Sequence, residues 1–199
     1  MKQISISGSV RTEIGKKATR ALRNSGNVPC VIYGEKKTAD GLPEAVHFVV
    51  TEKEINKLIY TPNIYLINVT IDGVEHKAIL KEVQYHPVKD NVLHVDFLEV
   101  RADKPIVMGV PIAPQGLAEG VRAGGRLVTM VRKLNVKALY DEIPEKLDID
   151  VTSLQLGKSI KAGDLHFEGL ELVTPKEVIV CTVKMTRAAM GAAAAAAKA

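Results

Sequence analysis

Polar and apolar side chains alternate along Lys2-Gln-Ile-Ser-Ile-Ser-Gly8, the period of a half-buried strand. The period lengthens over Lys16–Ser25. At about 100° per residue, Lys16, Arg20 and Arg23 fall on one side with Thr19 beside them, and Ala18, Ala21 and Leu22 fall on the other. This spacing predicts a helix from near Lys16 to Ser25, with Gly26 taking positive φ just past the C-cap. One side would face a core and the other would show three cations, flanked by Arg11 and Lys17.

Further on, Val28-Pro-Cys-Val-Ile-Tyr-Gly34 predicts a second strand whose start Pro29 places at an edge. A polar loop, Glu35 to Pro43, leads to the strand Ala45–Val50. Thr51-Glu-Lys-Glu54 has the spacing of a capping box opening a helix to about Tyr60. Leu66–Ile71 and Val74–Leu80 flank Asp72-Gly73, a two-residue hairpin signal. A loop at His86–Asn91 precedes the strand Leu93–Val100. Six strands and two short helices in about a hundred residues point to a small closed β-barrel.

Beyond a boundary near Arg101–Lys104 the strands shorten: Pro105–Ile112, Leu127–Tyr140, Leu147–Val151, Ser159–Lys161 and Glu177–Lys184. Gly-rich and Pro-marked turns separate them, the mark of an all-β, sandwich-like domain. The fold class is therefore mainly β. Its expected divisions are a barrel over 1–100, a second β domain over 101–187 and an Ala-rich tail over 188–199. That tail is too short to hold a stable helix without a face to pack and is expected to fray.

Composition agrees. Trp is absent and aromatics are 4%, so the cores rest on Val, Ile and Leu. Net charge is +4, but its distribution says more. Residues 1–40 hold 8 Lys/Arg against 3 Asp/Glu, residues 41–100 hold 5 against 9, and residues 101–199 hold 14 against 11. Positive charge is densest in the first forty residues, where Glu13 is the one acid between Arg11 and Arg23. A solvated helix face is the plainer alternative, yet surface helices usually intersperse both signs, which favours a polyanion-binding face.

Cys30 and Cys181 sit in apolar, strand-like runs far apart in sequence, as buried free thiols of a reducing cytosol do. No apolar run approaches a membrane span, and the N-terminus lacks a signal-peptide core. A cytoplasmic protein is expected.

Catalytic frames are missing. Gly15-Lys16 fails as a phosphate loop because Lys17 stands where a magnesium-binding hydroxyl belongs and position 10 is Val. There is no Gly-x-Gly-x-x-Gly and no Gly-x-Ser-x-Gly. His47 and His76 read as exposed strand residues, and His166 is isolated. His86 and His94 have no further ligand at zinc spacing. No enzyme activity, cofactor or metal is expected.

His94 and Asp96 share one strand face, with Val95 and Phe97 on the other. A solvent-facing pair, or a His–Asp hydrogen bond with no further role, is the plain alternative. The functional one is base-edge recognition, because a carboxylate beside a polyanion costs energy unless it accepts from a base N–H. The shallow minor groove of A-form RNA could meet such a strand face, its 2′-hydroxyls suiting Thr19, Tyr33 and His94.

Together, Arg11-x-x-x-Gly-Lys-x-Ala-Thr-Arg-x-Leu-Arg-x-x-Gly-x-Val-Pro-x-Val-Ile-Tyr-Gly34, Val83-Gln-x-His-Pro87 and His94-Val-Asp-Phe97 resemble a known family. It is the 5S rRNA-binding family of bacterial large-subunit ribosomal protein twenty-five, in the long two-domain CTC, or general stress protein, form. Glu119-Gly-Val-x-x-Gly-Gly125 and Ile143-Pro-Glu-x-Leu-x-Ile-Asp-Val151 match its second domain more softly. The resemblance implies a noncatalytic ribosomal component whose barrel contacts the loop E region of 5S rRNA, an internal loop with non-Watson–Crick pairs, in the central protuberance.

The implied RNA contacts are Arg11, Lys16, Thr19, Arg20, Tyr33, Lys81, His94 and Asp96, with Lys17 and Arg23 on the same basic helix. Lys81 stands where other members can carry Gln, which would turn a base-reading amide into a phosphate contact. Gln84 and His86 belong to the implied RNA-binding set as well, and with Pro87 they would mainly shape the loop before the His94 strand. The second domain would dock on neighbouring 23S rRNA or ribosomal proteins. A stress-linked protein-interaction adaptor working through the second domain is the alternative, and an enzyme acting on phosphorylated ligands is a distant third.

Overall fold

The computed structural model describes residues 1–37 and 43–187. The chain divides into two compact units, Met1–Lys104 and Pro105–Ala199. Among the described residues no helix is long and apolar enough to cross a membrane.

The first unit is a closed six-stranded barrel. Its strands are β1 (Lys2–Val10), β2 (Asn27–Lys37), β3 (Pro43–Thr51), β4 (Tyr65–Ile71), β5 (Val74–Tyr85) and β6 (Val92–Glu99), in the order β1-β3-β2-β6-β5-β4. Closure comes from β1 running parallel to β4, Lys2 opposite Tyr65 through Gly8 opposite Ile71. Two helices complete it, α1 (Lys16–Asn24) and α2 (Glu52–Ile59).

Alternation along the strands sends Ile6, Val28, Cys30, Ile32, Phe48, Ile67, Val69, Val95 and Phe97 inside. The Phe48 and Phe97 rings meet there, centroids 5.7 Å apart and tilted by 41°. Ile55 and Leu58 of α2 add to this core, and burial of each such side chain stabilises the fold by about 1.5–3 kcal/mol. The hairpin between β4 and β5 turns on Asp72 and Gly73, at φ 47° and 88°, positive at both as a type I′ turn requires.

The beginning of β2 is an edge, as Pro29 indicates: Asn27–Pro29 pair with β3 alone, and the ladder to β6 begins only at Cys30, so the missing N–H costs no rung on that side. Two local expectations are corrected. Strand β2 continues to Lys37, opposite Pro43, through the first residues of the expected loop. The capping box does not close. Thr51 is the N-cap of α2 but makes no side-chain bond to its backbone; its hydroxyl instead donates to the Glu54 carboxylate at 3.3 Å.

The second unit holds two sheets. The first contains β7 (Ile106–Gln115), β9 (Lys133–Ala138), β10 (Leu147–Asp150) and β12 (Glu171–Leu172), in the order β10-β7-β9-β12. The other contains β8 (Arg126–Thr129), β11 (Ser159–Lys161) and β13 (Ile179–Lys184), in the order β11-β13-β8. The run Leu127–Tyr140 is thus two strands in different sheets. The chain changes sheet at Met130–Arg132, where alternation lapses, β8 pairing with β13 and β9 with β7. A short helix, α3 (Glu119–Arg122), lay below the reach of helical periodicity. The expected Ala-rich tail lies outside the described residues.

Candidate nucleic-acid interface

Helix α1 forms where the pattern placed it, with Ser25 as C-cap and Gly26 at φ 75°. Its attachment differs from expectation. No residue of α1 is buried. Ala18, Ala21 and Leu22 face β1 and β3 across an open cavity of about 870 Å³, lined also by Val10, Val49 and Val50. Nine residues with two alanines on the apolar side offer too little surface to fill that gap.

Polar anchors hold the helix instead. At its start, Arg11 Nη2 donates to Thr19 Oγ1 at 2.6 Å, and Arg11 Nε donates to the Glu13 carbonyl. Thr19 in turn donates to the Gly15 carbonyl at 2.7 Å, so its hydroxyl is engaged as both acceptor and donor. At the far end, Arg23 Nε donates to the Leu93 carbonyl at 3.0 Å. Arg11, Thr19 and Arg23 therefore position the helix, leaving Lys16, Lys17 and Arg20 exposed. Among the described residues no carboxylate pairs with those three.

The Leu93 carbonyl is free because β6 carries a bulge. Gln84 faces His94 and Tyr85 faces Val92, which leaves Leu93 unpaired. A second bulge lies on β5, where Leu80 faces Phe97 and Glu82 faces Asp96, leaving Lys81 out of register. Without it, strict alternation from Leu80 would turn Glu82 inward. With it, Val83 packs on the core, and Glu82 and Gln84 join the outer face of Asp96 and His94. Glu82 was missed by the sequence analysis. The sequence carries no clean signal for it, because polar runs at Glu75-His76-Lys77 and Lys81-Glu82 and the apolar run Ala78-Ile79-Leu80 break alternation along the whole strand.

On that face His94 Nδ1 lies 2.7 Å from Asp96 Oδ1, each side chain about a quarter exposed (25% and 24%). A carboxylate only accepts, so Nδ1 carries a proton, and in the neutral ring that tautomer makes Nε2 an acceptor. Parallel pairing puts Val31 opposite Asp96 and Tyr33 opposite Leu98. Burial first, then the carboxylates of Asp96 and Glu82, push the Tyr33 phenol above its ordinary value. Tyr33 thus remains a neutral hydroxyl donor beside the dyad.

The His86 ring is engaged with its own turn: Nδ1 accepts from the backbone N–H groups of Val88 and Lys89, both at 3.2 Å, and the His86 backbone N–H donates to the Asn91 carbonyl. His86 shapes the turn into β6. His76 is corrected too: instead of being an exposed strand residue it is mostly buried and 2.9 Å from Glu99. Cys30 and Cys181 are both buried free thiols.

The Arg23–Leu93 bond thus ties the helix that carries the exposed cations to a strand whose outer face, with its neighbours, carries an imidazole, two carboxylates, an amide and a phenol. Cations grip phosphate without regard to sequence, whereas acceptor-only groups discriminate among base edges.

Comparison with known proteins divides the chain where its two compact units do. Residues 6–97 match the model of the ribosomal L25p family, and residues 105–187 match the ribosomal protein TL5 C-terminal domain. Over its full length and theirs, the chain is 58% identical to the large ribosomal subunit protein bL25 of Phocaeicola vulgatus and 54% identical to that of Bacteroides thetaiotaomicron. It is 53% identical to the bL25 of Porphyromonas gingivalis, covering 97% of this chain and 98% of that one. The chain therefore belongs to the ribosomal L25p family of large-subunit proteins, in the form that carries a TL5-type second domain.

Proposed function

We propose that the first unit is a noncatalytic RNA clamp that binds the loop E region of 5S rRNA in the central protuberance of the large ribosomal subunit. The observation that carries this is the Arg23–Leu93 bond, which ties the helix row of Lys16, Arg20 and Arg23 to the residue just before His94. Affinity and discrimination then share one docking surface. Lys16, Lys17, Arg20 and Lys81 contact phosphates, and Arg11, Thr19 and Arg23 hold the helix that presents them.

Recognition follows from what each group offers. The shallow minor groove of A-form RNA admits a strand face, and His94 Nε2 accepts from a 2′-hydroxyl while Tyr33 donates. Asp96 and Glu82 repel phosphate. Facing RNA, they need donors such as base amino or imino N–H groups, which an internal loop with irregular pairs turns outward more readily than a regular duplex does. Gln84 beside His94 adds an amide able both to donate and to accept.

Binding affinities for a loop E fragment and a fully paired duplex test this, measured across a salt series. Release of about four counterions gives a log–log slope of roughly −3 to −4. Arg20→Glu weakens binding to both RNAs, and Asp96→Ala erodes the preference for loop E by about 1–3 kcal/mol. An Asp96→Ala protein that keeps the wild-type preference removes the dyad from recognition. Chemical footprinting of 5S rRNA with the full chain then locates the contact.

A further inference from the structure

Positive charge recurs in the second unit, away from any residue used above. Residues 120–137 hold five cations (Arg122, Arg126, Arg132, Lys133 and Lys137) and no Asp or Glu, whereas residues 141–150 hold five acids and only Lys146. Folding adds to the contrast. Lys184 lies directly opposite Arg126 in the β13–β8 ladder, both exposed on one sheet face. Directly opposed residues have Cβ atoms about 4.5–5.5 Å apart, and like charges so placed are destabilising.

Two more cations lie close by. The Lys158 carbonyl accepts from the Val183 N–H, next to Lys184. The Thr186 hydroxyl donates to the Gly124 carbonyl at 2.6 Å, which brings exposed Arg187 beside the Arg122–Arg126 turn. Glu119, at the start of α3, is the carboxylate nearest in sequence to that turn. Among the described residues no carboxylate pairs with Arg126, Lys158 or Lys184.

An opposed pair of unneutralised cations is unfavourable in the free protein and favourable only against an anion that spans both. We infer that the β8–β13 end of the second unit is a separate RNA-backbone contact, with Arg126 and Lys184 bridging adjacent phosphates and Lys158 and Arg187 at its margin. The choice of RNA over an acidic protein rests on membership of a ribosomal family. It does not rest on loop E recognition. The site contains no base-reading group in its centre, so it binds backbone without regard to sequence.

The probe is a short, fully paired RNA duplex, titrated with the full chain carrying Arg20→Glu so that first-unit binding is suppressed. Adding Arg126→Glu and Lys184→Glu weakens duplex binding about tenfold at low salt and makes the salt slope shallower by about two. Arg126→Gln with Lys184→Gln keeps the fold without charge reversal. That variant unfolds at or above the parent's midpoint and loses about half of the slope change.

Unchanged duplex affinity and slope in the Gln variant overturns the inference. So does unchanged duplex binding combined with lost incorporation into large subunits, which points to an acidic protein partner. The loop E preference of the otherwise wild-type protein is unaffected by Arg126 and Lys184 substitutions, so failure here and failure of loop E recognition are read separately.

Discussion

Arg23 Nε donates to the carbonyl that the bulge at Leu93 leaves without a strand partner. A side chain of the basic helix thus completes the backbone accounting of the strand that carries His94. A partly buried hydrogen bond from a charged donor contributes about 1.5–3 kcal/mol, and leaving the acceptor bare adds its desolvation cost.

Arg23→Ala is therefore expected to lower stability by about 1–2 kcal/mol and to loosen α1 as a body, since no apolar core holds it. Hydrogen exchange gives the sharper readout. Amides of Ala18–Asn24 lose protection relative to β2 and β3, and RNA affinity falls more than loss of one phosphate contact explains. Unaltered exchange in α1 alongside an intact RNA affinity would show the helix has another anchor.

The bulge at Lys81 makes a different prediction. Lys81→Ala keeps the bulge and removes one charge, so the salt slope becomes shallower by about one with loop E preference intact. Deleting Lys81 removes the bulge, and Glu82 then follows Leu80 directly, so regular alternation still sets Glu82 opposite Asp96, Val83 inside and Gln84 opposite His94. The deletion variant is therefore expected to lose one charge like Lys81→Ala while keeping its urea stability and its loop E preference. A deletion variant that is stable to urea but has lost the loop E preference would sink this account of the face.

Buried thiols give a pH dependence. Burial first, then the Asp96 charge, raises the Cys30 thiol above its ordinary value, and burial raises Cys181 as well. A folded-state value raised above the unfolded one stabilises below the unfolded value and is lost as pH rises beyond it, because only the unfolded chain forms thiolate. From about pH 8.5 upward, each such group makes stability fall by up to about 1.4 kcal/mol per pH unit. Urea midpoints of wild type and Cys30→Ala between neutral and alkaline pH check this: the variant starts lower and declines less steeply. Parallel declines would mean Cys30 ionises freely in the fold.

Two glycines separate strain from space. A Cβ at Gly26 meets nothing within 4 Å, so Gly26→Ala costs only the positive-φ penalty of about 1 kcal/mol. A Cβ at Gly120 meets the Leu156 nitrogen at 2.6 Å and the Gln155 carbonyl carbon at 2.8 Å, backbone that cannot step aside. Gly120→Ala is expected to cost at least 2 kcal/mol, of the order seen for overpacking. Thermal denaturation ranks the pair, and near-equal losses would contradict the close approach.

Much of this molecule was legible as periodicity. Alternation marked the barrel strands, a 3.6-residue spacing marked α1, Asp72-Gly73 marked the hairpin, and the one-sided charge of the first forty residues marked α1 as the basic helix. These are local properties, written in neighbours along the chain. Sequence by itself also put His94 and Asp96 on one strand face, since two residues two apart must share it.

Tertiary structure decided what depends on pairing across strands. The bulges that bring Glu82 and Gln84 beside Asp96 and His94 are set by register, and register is set by which partner strand fills the core. The anchoring of α1 through Arg11 and Arg23, and the meeting of Arg126 with Lys184, join residues eight to seventy positions apart. No local pattern encodes such contacts, because the free energy that selects them belongs to the closed barrel and the packed sheets as wholes.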